Sequence, residues 1–71
     1  MDLAQLISQT RKQARLTQAE LAALAGVGKT VVWDLEHGKQ TIRLETLSKV
    51  LASLNIDLIV RSPITREDVS L

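Results

Sequence analysis

Thr17-Gln-Ala-Glu-Leu-Ala-Ala-Leu-Ala-Gly-Val-Gly-Lys-Thr-Val-Val-Trp-Asp-Leu-Glu-His-Gly38 reads as two short helices joined by a tight turn, and this reading decides the fold. Thr17 stands as an N-cap with Glu20 three positions on, so each side chain can accept the otherwise unpaired backbone N–H of the other. Leu16 and Leu21 flank that pair as a hydrophobic staple. The second helix repeats the entry in a weaker form, with Gly28 as N-cap and Val27 placed to pack on Val32. Between the two, Gly26 is free to adopt positive φ, and Ala22 is small enough to let the second helix cross closely over the first.

Working outward, Asp2 can cap an earlier helix whose Leu3, Leu6, Ile7 and Ala14 recur at helical spacing, ending near Ala14 or Arg15. The central pair then spans about 18–25 and 29–37. Gly38 supplies a stop, and a polar loop of Lys39, Gln40 and Thr41 leads to a helix over 43–54 with Leu44, Leu47, Leu51 and Leu54 on one stripe. Asn55 suits a left-handed cap. Residues 56–61 then change character: Ile56, Leu58 and Val60 alternate as in a strand, and Pro63 ends the run. Residues 63–71 show no usable period and read as a flexible tail.

A lone strand cannot satisfy its own backbone groups, and the sequence shows no second strand of comparable quality. Antiparallel pairing with the same strand of a twofold-related copy meets the need, with Ile56, Leu58, Ile59 and Val60 at the interface. A fifth helix, or an extended segment packing on its own domain, is the alternative. Chain length points toward the homodimer too: 71 residues support a net stability of only about 3 to 5 kcal/mol unless disulfides, a metal or a partner adds to the core. With no Cys and one His, a partner chain is the remaining aid. The expectation is therefore a mostly α domain over 1–55, a dimerisation strand over 56–62 and a tail over 63–71.

The formal net charge of +1 is too small to announce nucleic-acid binding by itself, so placement matters. Arg11, Lys12, Arg15, Lys29, Lys39 and Arg43 fall at helix ends and loops around the two-helix unit. A helical-wheel count separates the second helix of that unit into two faces: Val31, Val32, Leu35 and Glu36 on one, Lys29, Thr30, Trp33, Asp34 and His37 on the other. The only aromatic residue thus lies on the polar face, where it suits contact with base edges, a thymine methyl or sugar. Packing flat on a neighbouring helix is its structural alternative. His37 has no second ligand or nucleophile beside it and reads as a solvated C-terminal residue. With no clustered carboxylates and no phosphate-cradling glycine loop, an enzyme is not expected, nor a metal or cofactor. Lacking an apolar run long enough to span a bilayer, the chain is expected to be cytoplasmic and nucleoid-associated, with no membrane partner.

Gln18, Ala22, Gly26, Val27, Val32 and Leu35, with the Leu-Thr-Gln-Ala-Glu-Leu-Ala run and Leu-Glu-Thr-Leu at 44–47, resemble the helix-turn-helix of the phage repressor and Cro superfamily, the Xre family. The resemblance covers roughly residues 3–54 and implies sequence-specific DNA binding. It places Gly28, Lys29, Thr30 and Trp33 at base edges in the major groove. Gln18 would grip a phosphate and buttress the recognition helix, and Lys39, Gln40 and Arg43 would contact the DNA backbone. It also implies a structural salt bridge between Arg11 and Glu36, in agreement with the inward position of Glu36 on the wheel. The sequence departs from the family at Gly28, where a polar residue is commoner, and at Ile42-Arg43, where many relatives have Pro-Ser.

The strand at 56–61 is similar to the C-terminal strand of HipB-like antitoxins, whose dimers share a two-stranded sheet. That resemblance implies a dimer that represses its own operon from a pseudopalindromic operator and holds a HipA-like serine/threonine kinase toxin inactive. The rival readings are a stand-alone Xre regulator of the phage-repressor or restriction-controller kind, and a protein-interaction module that no longer binds DNA.

Overall fold

The first N–H groups of a helix need acceptors, and the sequence supplies them at two of the four helix starts in the computed structural model, which describes residues 1–64 and 67–70. Thr65, Arg66 and Leu71, part of the expected tail, lie outside the described residues. Helix α1, Leu3–Gln13, opens at Asp2, whose carboxylate accepts the Gln5 N–H at 2.8 Å while Gln5 Oε1 accepts the Asp2 N–H at 3.1 Å. Helix α2, Gln18–Ala25, opens with the expected reciprocal pair, Thr17 Oγ1 accepting from Glu20 at 3.0 Å and Glu20 Oε1 from Thr17 at 2.9 Å. Helices α3, Lys29–Glu36, and α4, Leu44–Ser53, begin at Gly28 and Arg43 with no side-chain cap.

All four helices end the same way. Arg15, Gly26, Gly38 and Asn55 take φ of 59°, 70°, 80° and 57°. The N–H that follows each reaches the carbonyl five residues back: Leu16 to Arg11 at 3.1 Å, Val27 to Ala22 at 3.0 Å, Lys39 to Asp34 at 3.0 Å and Ile56 to Leu51 at 2.9 Å. These hydrogen bonds fold the chain back sharply enough for α2 to pack on both α3 and α4 while α1 packs on α3.

The core is formed where the four helices meet. Ile7 of α1, Leu21 of α2, Val32 of α3 and Val50 of α4 are fully buried, with Ala22, Ala25, Leu35, Leu51 and Leu54 around them. Ala22 is buried at the crossing, as its small side chain predicts. The expected α4 stripe is corrected at its first member: Leu44 is 55% exposed at the helix start, and Val50 takes the central place. Among the described residues no helix is long and apolar enough to cross a membrane.

Among the described residues two strands follow α4, β1 at Ile59–Arg61 and β2 at Asp68–Ser70, paired antiparallel with Val60 opposite Val69. Here the expectation of no second strand is corrected: β1 finds a partner inside its own chain, within the segment assigned to the tail. An exposed Arg61–Asp68 ion pair at 3.0 Å joins the two strands, and the Ser62 N–H donates to the Glu67 carbonyl at 3.1 Å. The strand is also shorter than 56–61, because Ile56 and Leu58 pack on the helical core and leave only Ile59 and Val60 half-exposed. The reading of an extended segment packing on its own domain therefore describes Ile56 and Leu58.

Left-handed backbone costs a side-chain-bearing residue about 1 kcal/mol that glycine avoids. A Cβ added at Gly26 meets nothing within 4 Å, so any cost there comes from the backbone alone. In urea unfolding, Gly26→Ala is expected to lose about 1 kcal/mol and Arg15→Gly to gain a similar or smaller amount.

Candidate nucleic-acid interface

The orientation of α3 is fixed at its C-terminal end by a buried ion pair. Arg11 Nε donates to Glu36 Oε2 at 2.6 Å and Nη2 donates to Glu36 Oε1 at 2.9 Å, a two-pronged contact between side chains only 11% and 5% exposed. The third arm of the guanidinium, Nη1, donates to the Leu16 carbonyl at 2.8 Å, in the turn between α1 and α2. Gln18 Nε2 adds a donation to Glu36 Oε1 at 3.3 Å from the first residue of α2. One carboxylate thus ties three helices together. The bridge implied by the resemblance is present, and so is the buttressing contact of Gln18.

Burial alone would raise the Glu36 pKa, but hydrogen bonds from Arg11 and Gln18 and the Arg11 charge outweigh it and hold the carboxylate below its usual range. Through its bonds to Glu36, the Arg11 guanidinium is held above its usual value. These contacts also offset the cost of a negative side chain at a helix C-terminus. Glu20 is likewise lowered, first by the hydrogen bond from the Thr17 backbone N–H.

With Glu36 anchored and Val32 and Leu35 in the core, the opposite face of α3 is presented outward. Gly28, Lys29 and Thr30 are exposed at its N-terminal end, where unpaired backbone N–H groups and the helix dipole favour anionic groups. Trp33 follows one turn on and is 49% exposed. Its ring stacks on His37 of the same helix, with centroids 3.6 Å apart at 14°. The wheel-derived division of α3 holds, whereas the reading of His37 as merely solvated missed this contact, for which the i, i+4 spacing of two rings was the available signal.

The expected backbone-contacting residues divide into two groups. Gln40 and Arg43 are exposed on the loop and at the start of α4. Lys39 is exposed too, but its Nζ lies 3.3 Å from Asp34 Oδ2, which partly offsets its charge. Among the described residues neither Lys29 nor Arg43 forms an ion pair. The cations at the edges of α3 are therefore unequal: Lys29 and Arg43 are unpaired and Lys39 is shared.

Two short helices joined by a tight glycine turn form a helix-turn-helix unit. The chain belongs to the helix-turn-helix family, whose model matches residues 7–60. It is 37% identical over 62 residues to an uncharacterized HTH-type transcriptional regulator, y4mF, of Sinorhizobium fredii (strain NBRC 101917 / NGR234), covering 87% of this chain and 82% of that one. Among solved structures it is similar to SinR, the master regulator for biofilm formation, in complex with DNA, at 36% identity over 78% of this chain and 89% of that one, with a TM-score of 0.68. It is also similar to a chain of the HipA–HipB–O2–O3 complex, at 28% identity over 86% of each chain, with a TM-score of 0.74. The protein is a DNA-binding transcriptional regulator by class.

The lowered pKa of Glu36 has a definite pH signature. A carboxylate with a folded-state pKa below its unfolded one contributes fully above the unfolded value, about 4.3, and loses that contribution as pH falls through the folded value. Glu36→Gln is expected to be about 3 kcal/mol less stable at neutral pH, because it leaves the Arg11 charge buried without its counter-ion. Urea midpoints measured from about pH 6 down to about pH 3 should therefore fall more steeply for the wild type than for the variant.

Proposed function

We propose that the protein is a dimeric repressor that reads a pseudopalindromic operator through α3. The observation that carries this reading is the outward, unpaired N-terminal end of α3, clamped from behind by the Arg11–Glu36–Gln18 cluster. Lys29, Thr30 and Trp33 reach base edges, while the backbone at Gly28 comes close to the duplex without a side chain of its own. Arg43, Gln40 and the shared Lys39 meet phosphates, and Gln18 adds a phosphate contact from the start of α2. Two copies set α3 into successive major grooves about 34 Å apart.

Dimerisation uses the hairpin. A two-stranded sheet leaves one edge of β1 unpaired, and Ile59 and Val60 are 52% and 51% exposed beside it. A second copy pairing along that edge covers both side chains and satisfies the remaining backbone groups. Ile56 and Leu58 contribute indirectly, by seating the hairpin on the helical core.

Within this reading the chain serves as the antitoxin of a HipA/HipB-like module, autorepressing its operon and neutralising a kinase toxin in the cytoplasm. Its similarity along 86% of both chains to a component of the HipA–HipB–O2–O3 complex supports that assignment. The similarity to SinR supports the alternative of a stand-alone regulator. Co-expression with the product of the adjacent gene separates them: co-purification of a kinase-like protein is expected, and a dimer that binds its promoter yet retains no partner favours the stand-alone regulator.

Lys29→Ala is expected to weaken operator binding by about 1 to 3 kcal/mol in a gel-shift titration. If the dimer neutralises about 6 to 10 phosphates, wild-type affinity should fall at least about a thousandfold between about 50 and about 200 mM salt. Affinity independent of salt would refute DNA binding and favour a protein-interaction module.

A further inference from the structure

Thr30, Trp33 and His37 are spaced three and four residues apart and share one face of α3. The only Trp and the only His of the chain are stacked there, with ring centroids 3.6 Å apart and planes 14° from parallel. His37 is held at both ends. Its ring Nδ1 lies 2.7 Å from the Trp33 carbonyl oxygen, and its backbone N–H donates to the same oxygen at 3.0 Å. A carbonyl only accepts, so Nδ1 is the donor in this contact. The imidazole therefore cannot turn without losing a hydrogen bond, and the indole cannot leave without losing the stack.

An exposed Trp on a helix ordinarily samples several rotamers, and fixing one on binding costs affinity. Here that ordering is done within α3 before any duplex arrives. One indole face is covered by the imidazole, so the ring cannot be sandwiched between bases and offers its remaining face and edge. In the major groove the apolar feature that such a surface meets is the thymine C5 methyl group.

From this geometry we infer that His37 is a positioning residue for DNA reading: it holds the Trp33 indole in the orientation that contacts a thymine methyl in each half-site. This inference rests on the DNA-binding reading above and adds to it a residue and a base. Stacking of aromatic rings is worth about 1 kcal/mol, about fivefold in affinity per half-site, so loss of His37 from both copies of the dimer should cost about 25-fold in affinity for the preferred sequence. Random duplexes are held by phosphate contacts and should be bound as before.

The test uses the tightest 20-to-25-base-pair duplex, about two helical turns, selected by the wild-type protein from a random library. His37→Ala should weaken binding of that duplex about 25-fold, about fivefold for each half-site, and leave random-duplex binding within about twofold. His37→Phe, which keeps a stacking ring, should restore discrimination. Replacing the selected thymines by uracil should weaken wild-type binding and leave Trp33→Ala unaffected. Because Trp33 is the only Trp and the chain has no Tyr, intrinsic fluorescence reports on it alone. Quenching by acrylamide should rise in His37→Ala and return toward wild type in His37→Phe. Undiminished discrimination in His37→Ala, or equal loss on selected and random duplexes, overturns the positioning role while leaving DNA binding in place. Equal wild-type binding to thymine and uracil duplexes overturns the methyl contact. A wild type that selects no sequence overturns the DNA-reading assignment and this inference with it.

Discussion

The structure depends above all on the two-pronged contact between Arg11 and Glu36. A guanidinium has five N–H donors in a fixed plane, and here that plane is divided between a carboxylate on α3 and the Leu16 carbonyl in the α1–α2 turn. Burial makes the pair costly to break, since removing either partner leaves a charge with little water to solvate it. Gln18 adds a further donor to the carboxylate, so the start of α2, the end of α1 and the end of α3 are held around one side chain. A helix of eight residues has little stability of its own. What keeps α3 in place is this anchor at one end and the burial of Val32 and Leu35 along its inner face.

That anchoring has an electrostatic consequence at the opposite end. The acidic group of α3 nearest the core is neutralised internally, and Asp34 is partly offset by Lys39. The N-terminal turn is left with an unpaired lysine, uncapped N–H groups and the positive end of the helix dipole. A chain of formal charge +1 can thus present a locally positive helix end without a strongly basic composition. The glycine at the N-cap adds no side chain in front of that turn, so its backbone is left open to solvent.

The C-terminal hairpin shows a competition between pairing within and between chains. Closing β1 on a nearby segment of the same chain costs only loop entropy, whereas recruiting a second copy also costs translational and rotational freedom. The intrachain partner is the one β1 pairs with along one edge. Ile56 and Leu58 are drawn to the bare end of the helical core for the same reason that any apolar side chain is: burial is non-directional and favours the nearest dry surface.

Much of this was legible in the residues. Thr17 with Glu20, Gly26, Gly38 and Asn55 specify helix boundaries by local chemistry alone, and the two faces of α3 follow from helical periodicity. The sequence by itself therefore determined the helices, the sharp turn between α2 and α3, and which side of α3 carries Lys29, Thr30 and Trp33. Tertiary structure alone decided the left-handed turn at Arg15, which no intrinsic preference of arginine favours, the stacking of Trp33 on His37, and the sharing of Lys39 with Asp34. It also decided that Asp68–Ser70 is a strand, since three residues are too few to show a period and acquire one only when a partner fixes the register. Caps and helix faces are set by residues a few positions apart, so they can be read along the chain. Strand partners and ion-pair choices depend on which distant groups the packed helices bring within reach.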